Sequence, residues 1–140
     1  MIPIPAHCIE IHQKPLFPLS EDGCRLPVEN PHRYKVEQIQ IDHCTIQDPD
    51  TMKCDYLLNV EATDASYLIE LKGSKWKDAY GQIETTYALV KDGMRKRRVW
   101  LICTSGTVNI PLNDQVKMSR EARKKGVELQ FTRHKRPYSL

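Results

Sequence analysis

Apolar residues recur along this chain at two spacings, and the switches between them divide it into strands and helices. Period-two alternation marks a half-buried strand, whereas apolar positions three and four apart mark a helical stripe. Six prolines (Pro3, Pro5, Pro15, Pro18, Pro27, Pro31) crowd residues 1–33. Each removes a backbone donor and bars a helix interior, so this segment is expected to be irregular, with loops and short strands, residues 8–11 being the best of them. Residues 34–46 (YKVEQIQIDHCTI) alternate, but the apolar face changes side midway, which predicts one long strand with a bulge or twist. Residues 53–60 and 66–72 form two further apolar runs joined by EATDA, the pattern of an antiparallel hairpin. After Gly73, Ser74 is a good N-cap, and Trp76, Tyr80, Ile83, Tyr87 and Val90 draw one apolar stripe that Asp92-Gly93 ends. RRVWLICT (residues 97–104) is the near-continuous run of a strand covered on both faces. Residues 113–125 begin with Asn113 as a cap and an acid, end in bases and are followed by Gly126, the punctuation of a second helix. A last strand is expected at 127–132, then a basic, mobile tail, RHKRPYSL.

This order of elements predicts an α/β domain with a mixed central sheet flanked by helices. The 140 residues suffice for one core and are too few for two comfortable domains. The boundaries are an N-terminal segment 1–33 of the same domain, a core 34–132 and a basic tail 133–140. The net charge of +3 conceals an asymmetry: residues 1–90 hold 8 Lys/Arg against 14 Asp/Glu, and residues 91–140 hold 13 against 4. A basic C-terminal third suits a polyanion such as nucleic acid, or is a solvated face. The five cysteines are odd in number and lack CxxC spacing, which predicts reduced thiols in a cytoplasmic protein and no disulfide framework. His7-Cys8, His12, Cys24 and His43-Cys44 carry zinc-ligand chemistry without diagnostic spacing. No run approaches membrane-spanning length, and no membrane partner is expected.

The chemistry concentrates in YLIELKG (residues 67–73). Glu70 and Lys72 point to the same side of their strand, and Asp55 on the preceding strand can join them only if paired residues sum to an odd number. A register with Asp55 opposite Glu70 turns at Ala62-Thr63, and one with Asp55 opposite Lys72 turns at Thr63-Asp64. Either brings two carboxylates and an ammonium together at the open end of the hairpin. Two close carboxylates repel unless a cation intervenes, and hard oxygen donors suit Mg2+, with Mn2+ a substitute. Such an ion polarises a phosphoryl oxygen and acidifies water, while a lysine orients or deprotonates the attacking water.

Asp55, fourteen intervening residues and then Glu70-Leu71-Lys72 resembles the PD-(D/E)XK nuclease superfamily. KCDYLL, YLIELKG and a helix bearing AYGQIETT look like its small stand-alone members, over about residues 34–105. The resemblance implies a restriction-endonuclease-like fold and Mg2+-dependent endonuclease activity on nucleic acid, DNA ahead of RNA. It implies that Asp55, Glu70 and the Leu71 carbonyl ligate the metal, that Lys72 serves the water nucleophile and that Gln82 supports the site. Lys75, Lys77, Arg95, Lys96, Arg97, Arg123, Lys124 and Lys125 are the candidates for nucleic-acid contact. A homodimer or a larger nucleic-acid-processing assembly is the expected partnership. The sequence departs from the family at two places. No N-terminal helix carries a further acid, leaving Glu29, Glu37 and Asp42 as candidates, and Cys54 stands where the motif has proline, with Pro49-Asp50 the second-ranked match. The alternatives are a non-catalytic binding or scaffolding subunit on the same fold and a zinc-stabilised interaction domain.

Overall fold

The computed structural model describes residues 2–73, 75–106 and 108–140. It is an α/β structure in three layers. A six-stranded mixed sheet lies in the middle, two helices cover one face, and a three-stranded sheet covers the other. The central sheet runs in the order β1 (Ile9–His12), β4 (Val36–Gln40), β5 (Tyr56–Val60), β6 (Ala65–Gly73), β7 (Arg97–Thr104) and β8 (Glu128–Arg133). The first four are antiparallel neighbours, and β7 and β8 continue parallel to β6. The parallel steps are made by helices α1 (Trp76–Val90) and α2 (Leu112–Lys124), as a crossover between parallel strands requires. Ser74, expected to cap α1, lies outside the described residues.

The small sheet consists of β2 (Leu16–Glu21), β3 (Cys24–Glu29) and β9 (Tyr138–Ser139). Here the segment expected to be irregular is an ordered hairpin, and its prolines explain how. Pro18 pairs with Pro27, and Asn30 N–H donates to the Pro15 carbonyl in the same register. Hydrogen-bonded and non-hydrogen-bonded pairs alternate in an antiparallel ladder, so Pro18 and Pro27 fall in a non-hydrogen-bonded pair and no bond between the two strands is lost. Asp22 (φ 47°) and Gly23 (φ 79°) make the turn, the left-handed pair that a two-residue hairpin loop demands. The tail is not loose either. β9 pairs parallel to β3, and Leu140 N–H donates to the Glu29 carbonyl.

Alternation assigns the two faces. Tyr67, Ile69, Leu71, Val99, Leu101 and Cys103 face the small sheet, and Leu68, Trp100 and Ile102 face Ala79, Ile83 and Tyr87 of α1. The apolar run 97–104 is β7, sandwiched on both sides as its composition predicts. The long strand expected at 34–46 stops at Gln40, and residues 41–46 fold back as a turn closed by an Asp42–Ile46 bridge. That turn is also where the cysteine expectation fails, because Cys44 is joined to Cys8 by a disulfide. The pairing is made in three dimensions, by β1 lying antiparallel to β4, and a separation of 36 residues leaves no motif.

Candidate active site

The β5–β6 register places Tyr56 opposite Ile69 and Val60 opposite Ala65. This is the first of the two registers that alternation allows, and Asp55 stands one residue before Tyr56, at the open end of the hairpin. Asp55 is held there from two sides. Its Oδ2 accepts the Leu71 N–H at 2.7 Å, and its N–H donates to the Ile69 carbonyl at 3.1 Å. The neighbouring Cys54 N–H donates at 2.8 Å to the Thr86 hydroxyl, which in turn donates to the Gln82 carbonyl at 2.9 Å. The hairpin end is thereby tied to α1. On the β7 side, Leu71 pairs with Cys103 and Gly73 with Thr104, so Lys72 is the extra residue of a bulge. A bulge frees a side chain from strict alternation and re-aims it. Lys72 Nζ lies 3.8 Å from Glu70 Oε2, its side chain 21% exposed against 3% for Glu70.

Burial governs the electrostatics. It pushes the Asp55 carboxyl up to about 7, opposed by the Leu71 N–H. It pushes Glu70 further, to about 9, because the Asp55 charge and their shared hydrogen bond add to desolvation and outweigh Lys72. Burial and mutual repulsion thus push both carboxyls up, so together they favour holding a proton over carrying two charges. Glu70 Oε1 and Gln82 Oε1 are both buried without a hydrogen-bond partner. A buried oxygen left unpaired costs about 1–3 kcal/mol, and both of these belong to a cleft lined by Asp22, Asp42, Asp55, Glu70, Leu71, Lys72, Lys75 and Gln82. Two carboxylates, two unsatisfied oxygens and room for water form a donor set that fits a hard divalent cation.

The cleft, about 380 Å3 in volume, collects residues that the sequence did not bring together. Asp42 is the one of the three candidate further acids that lines it. Its carboxylate lies 3.8 Å from Lys53 Nζ and 3.4 Å from His43 Nε2, and Glu21, Asp42 and His43 group closely enough to share an ion. Lys53 is buried and donates to the Asp48 and Thr51 carbonyls, so it fixes the turn that leads into Asp55. Glu37 lies at the other end of the sheet, bonded to Asn59, and Glu29 is exposed on β3. Asp50, of the second-ranked Pro49-Asp50 match, is exposed in a turn that Asp48 closes. Asp22 reaches the cleft from the β2–β3 turn, a placement for which the Asp22-Gly23 pair is the available signal.

The basic candidates divide into two groups. Lys75 lines the cleft, and Lys77 is exposed beside it with its ammonium 5.9 Å from the Trp76 ring. Arg95, Lys96 and Arg97 lie at the start of β7, where Arg97 pairs with Ala65 at the opposite end of the sheet from Glu70. Arg123 is beside them, facing Lys96 and Arg97 across one groove, and Lys124 and Lys125 follow it at the end of α2. The zinc candidates stay together only in part. His12 stacks on Phe17 and bonds Gln38, Cys24 sits 3.7 Å from Cys103, and Cys8 and Cys44 are oxidised beside His7. Among the described residues, no helix is long and apolar enough to cross a membrane. Comparison of the chain with protein-family models, with curated proteins and with solved structures gives no match.

Proposed function

We infer that this chain is a metal-dependent nuclease on a restriction-endonuclease-like fold, hydrolysing phosphodiester bonds of nucleic acid, DNA ahead of RNA. One observation carries the reading: Asp55 and Glu70, buried and facing each other across the β5–β6 hairpin, share a cleft with Lys72 and two unsatisfied oxygens. A structural ion pair has no use for a buried carboxylate kept protonated beside a second carboxylate. The element order is in keeping with it, since the site lies at the carboxyl end of β6, where open α/β sheets place their ligands.

Asp55, Glu70 and the Leu71 carbonyl would hold Mg2+ or Mn2+, which when bound supplies Lewis-acid polarisation of a phosphoryl oxygen and a more acidic water. The residues of the chain do the rest. The Leu71 N–H fixes the Asp55 carboxylate, and Glu70 would hold the ion as a carboxylate, its charge then compensated by the cation instead of a proton. Lys72 donates to the attacking water and counters the charge that grows on the phosphate oxygens. Gln82, anchored on α1, offers its side-chain oxygen to the same water. The water oxygen bonds to phosphorus as its proton passes to solvent, the P–O bond to the leaving sugar opens with its electron pair staying on oxygen, and that alkoxide takes a proton from solvent.

The test is a cleavage panel of duplex DNA, single-stranded DNA and RNA with Mg2+ or Mn2+, comparing wild type with Asp55→Ala, Glu70→Ala and Lys72→Ala. Wild type is expected to cut at least one substrate, and each variant to lose about 100-fold or more. A wild type that cuts none of them, or three variants that all still cut, overturns the reading.

A further inference from the structure

An acidic cleft cannot by itself hold a polyanion. Asp22, Asp42, Asp55 and Glu70 face only Lys72 and Lys75 across it, so a nucleic-acid strand needs cations close by that are not already neutralised. Several cations of the basic C-terminal third do not meet that need. At the far end of the sheet Arg97 is paired with Glu128 at 3.0 Å, Lys124 with Glu121 at 3.3 Å and Lys125 with Glu84 at 3.4 Å. Arg98 donates to the Tyr87 hydroxyl and to the Lys91 and Arg95 carbonyls. From Ala65, opposite Arg97, to Glu70 is five residues along β6, about 16 Å at strand rise.

The carboxyl end of the sheet is different. There the chain leaving β8 is pinned by its backbone: His134 N–H donates to the Thr104 carbonyl at 2.7 Å and Lys135 N–H to the Arg25 carbonyl at 2.8 Å. Arg25 N–H returns a bond to His134 Nδ1 at 2.8 Å. The side chains of Arg25, Lys135 and Arg136 are exposed, and none has an acidic partner among the described residues. The ledge they make lies beside the cleft. Cys24, the residue before Arg25, touches Cys103 at 3.7 Å, and Cys103 is the direct partner of Leu71.

Resting on the nuclease reading, we propose that Arg25, Lys135 and Arg136 form the docking surface for the phosphate backbone of the nucleic acid, and that the paired cations at the other end of the sheet do not. The end of β8, from which Lys135 and Arg136 follow, lies about two strand spacings, roughly 10 Å, from β6. Along one strand of a duplex that is about three nucleotides of axial rise. A fixed backbone beneath flexible, uncompensated cations suits phosphates, which are bound without regard to base and position the strand over the cleft. Its rigidity also means that little ordering is lost on binding.

The test uses the full chain carrying Glu70→Gln, to silence cleavage, and fluorescein-labelled 20-mers of duplex DNA, single-stranded DNA and RNA. Binding is read by anisotropy from 50 to 300 mM salt. Adding Arg25→Ala, Lys135→Ala and Arg136→Ala is expected to weaken duplex binding at least 10-fold and to flatten the log–log salt slope by about 2–3, near 0.9 for each phosphate no longer neutralised. Adding Arg97→Ala, Lys124→Ala and Lys125→Ala instead is expected to change affinity less than about 2-fold. An unchanged slope in the first variant, or an equal loss in the second, overturns the ledge and leaves the nuclease reading standing. If the parent binds none of the three nucleic acids, both fall together. Circular dichroism confirms that each protein is folded.

Discussion

On the nuclease reading Glu70 has two states to reconcile. In the folded chain without a cation burial pushes its carboxyl up, and to hold a cation it would have to be a carboxylate. Folding raises its pKa from 4.5 to about 9, so between those values the folded state binds more protons than the unfolded one. The Glu70 contribution to the stability of the metal-free protein is therefore fully present below about pH 4.5 and is lost as pH rises toward 9. Glu70→Gln removes the titration and keeps the shape. Its melting temperature at pH 8 without metal is expected to exceed that of wild type by about 5 °C or more, and the gap to close near pH 4.5. A gap independent of pH contradicts the assignment of the proton. The same carboxyl must lose that proton to hold a cation, so Mn2+ binding followed by calorimetry in two buffers of different ionisation enthalpy should release about one proton per ion. Thr86 acts one step back. Thr86→Val leaves the Cys54 N–H buried without an acceptor, with an expected cost of about 1–3 kcal/mol in urea unfolding and a loss of activity as Asp55 drifts.

At the scale of elements, local pattern is readable wherever neighbours in sequence are also neighbours in space. β7, α1 and the β5–β6 hairpin follow from alternation and from the stripe of Trp76, Tyr80, Ile83, Tyr87 and Val90, and even the hairpin register is confined to two choices. What local pattern does not carry is long-range pairing. Proline is a breaker wherever its missing N–H is needed, yet Pro18 and Pro27 sit where no inter-strand bond is made. The tail finds β3 about 110 residues away in sequence, and Cys44 finds Cys8 only because β1 lies against β4. Of the candidate site, Asp55, Glu70 and Lys72 share one cleft as their spacing suggests, Gln82 joins them there as the family resemblance implies, while Asp22 arrives from a separate hairpin whose one local signal is its Asp-Gly pair. The disulfide closes a 36-residue separation, which in chain-entropy terms is about 3–4 kcal/mol. Cys8→Ser, or reduction of the wild type, is expected to lower the urea midpoint accordingly. No change in the midpoint would mean that the bridge does not constrain the chain in solution.

The whole molecule separates its charge along the strands. Carboxylates gather with two lysines at the carboxyl end of β6, exposed cations without an acidic partner among the described residues flank them on the β3–β8 side, and Arg95, Arg97, Lys124 and Lys125 are paired with acids elsewhere. The three layers make this separation rigid: α1 ties down the Asp55 segment through Thr86, and the small sheet fixes both Asp22 and the ledge. Catalysis by the buried acid pair is the claim on which the rest depends. It is tested most directly by the single-turnover rate of nucleic-acid cleavage with and without Mg2+, for wild type and Glu70→Gln side by side. The account predicts a wild-type rate that needs the metal and a variant rate at least 100-fold lower, with the variant as stable as wild type or more so. Equal rates in the two proteins, or cleavage that is indifferent to metal, contradict it.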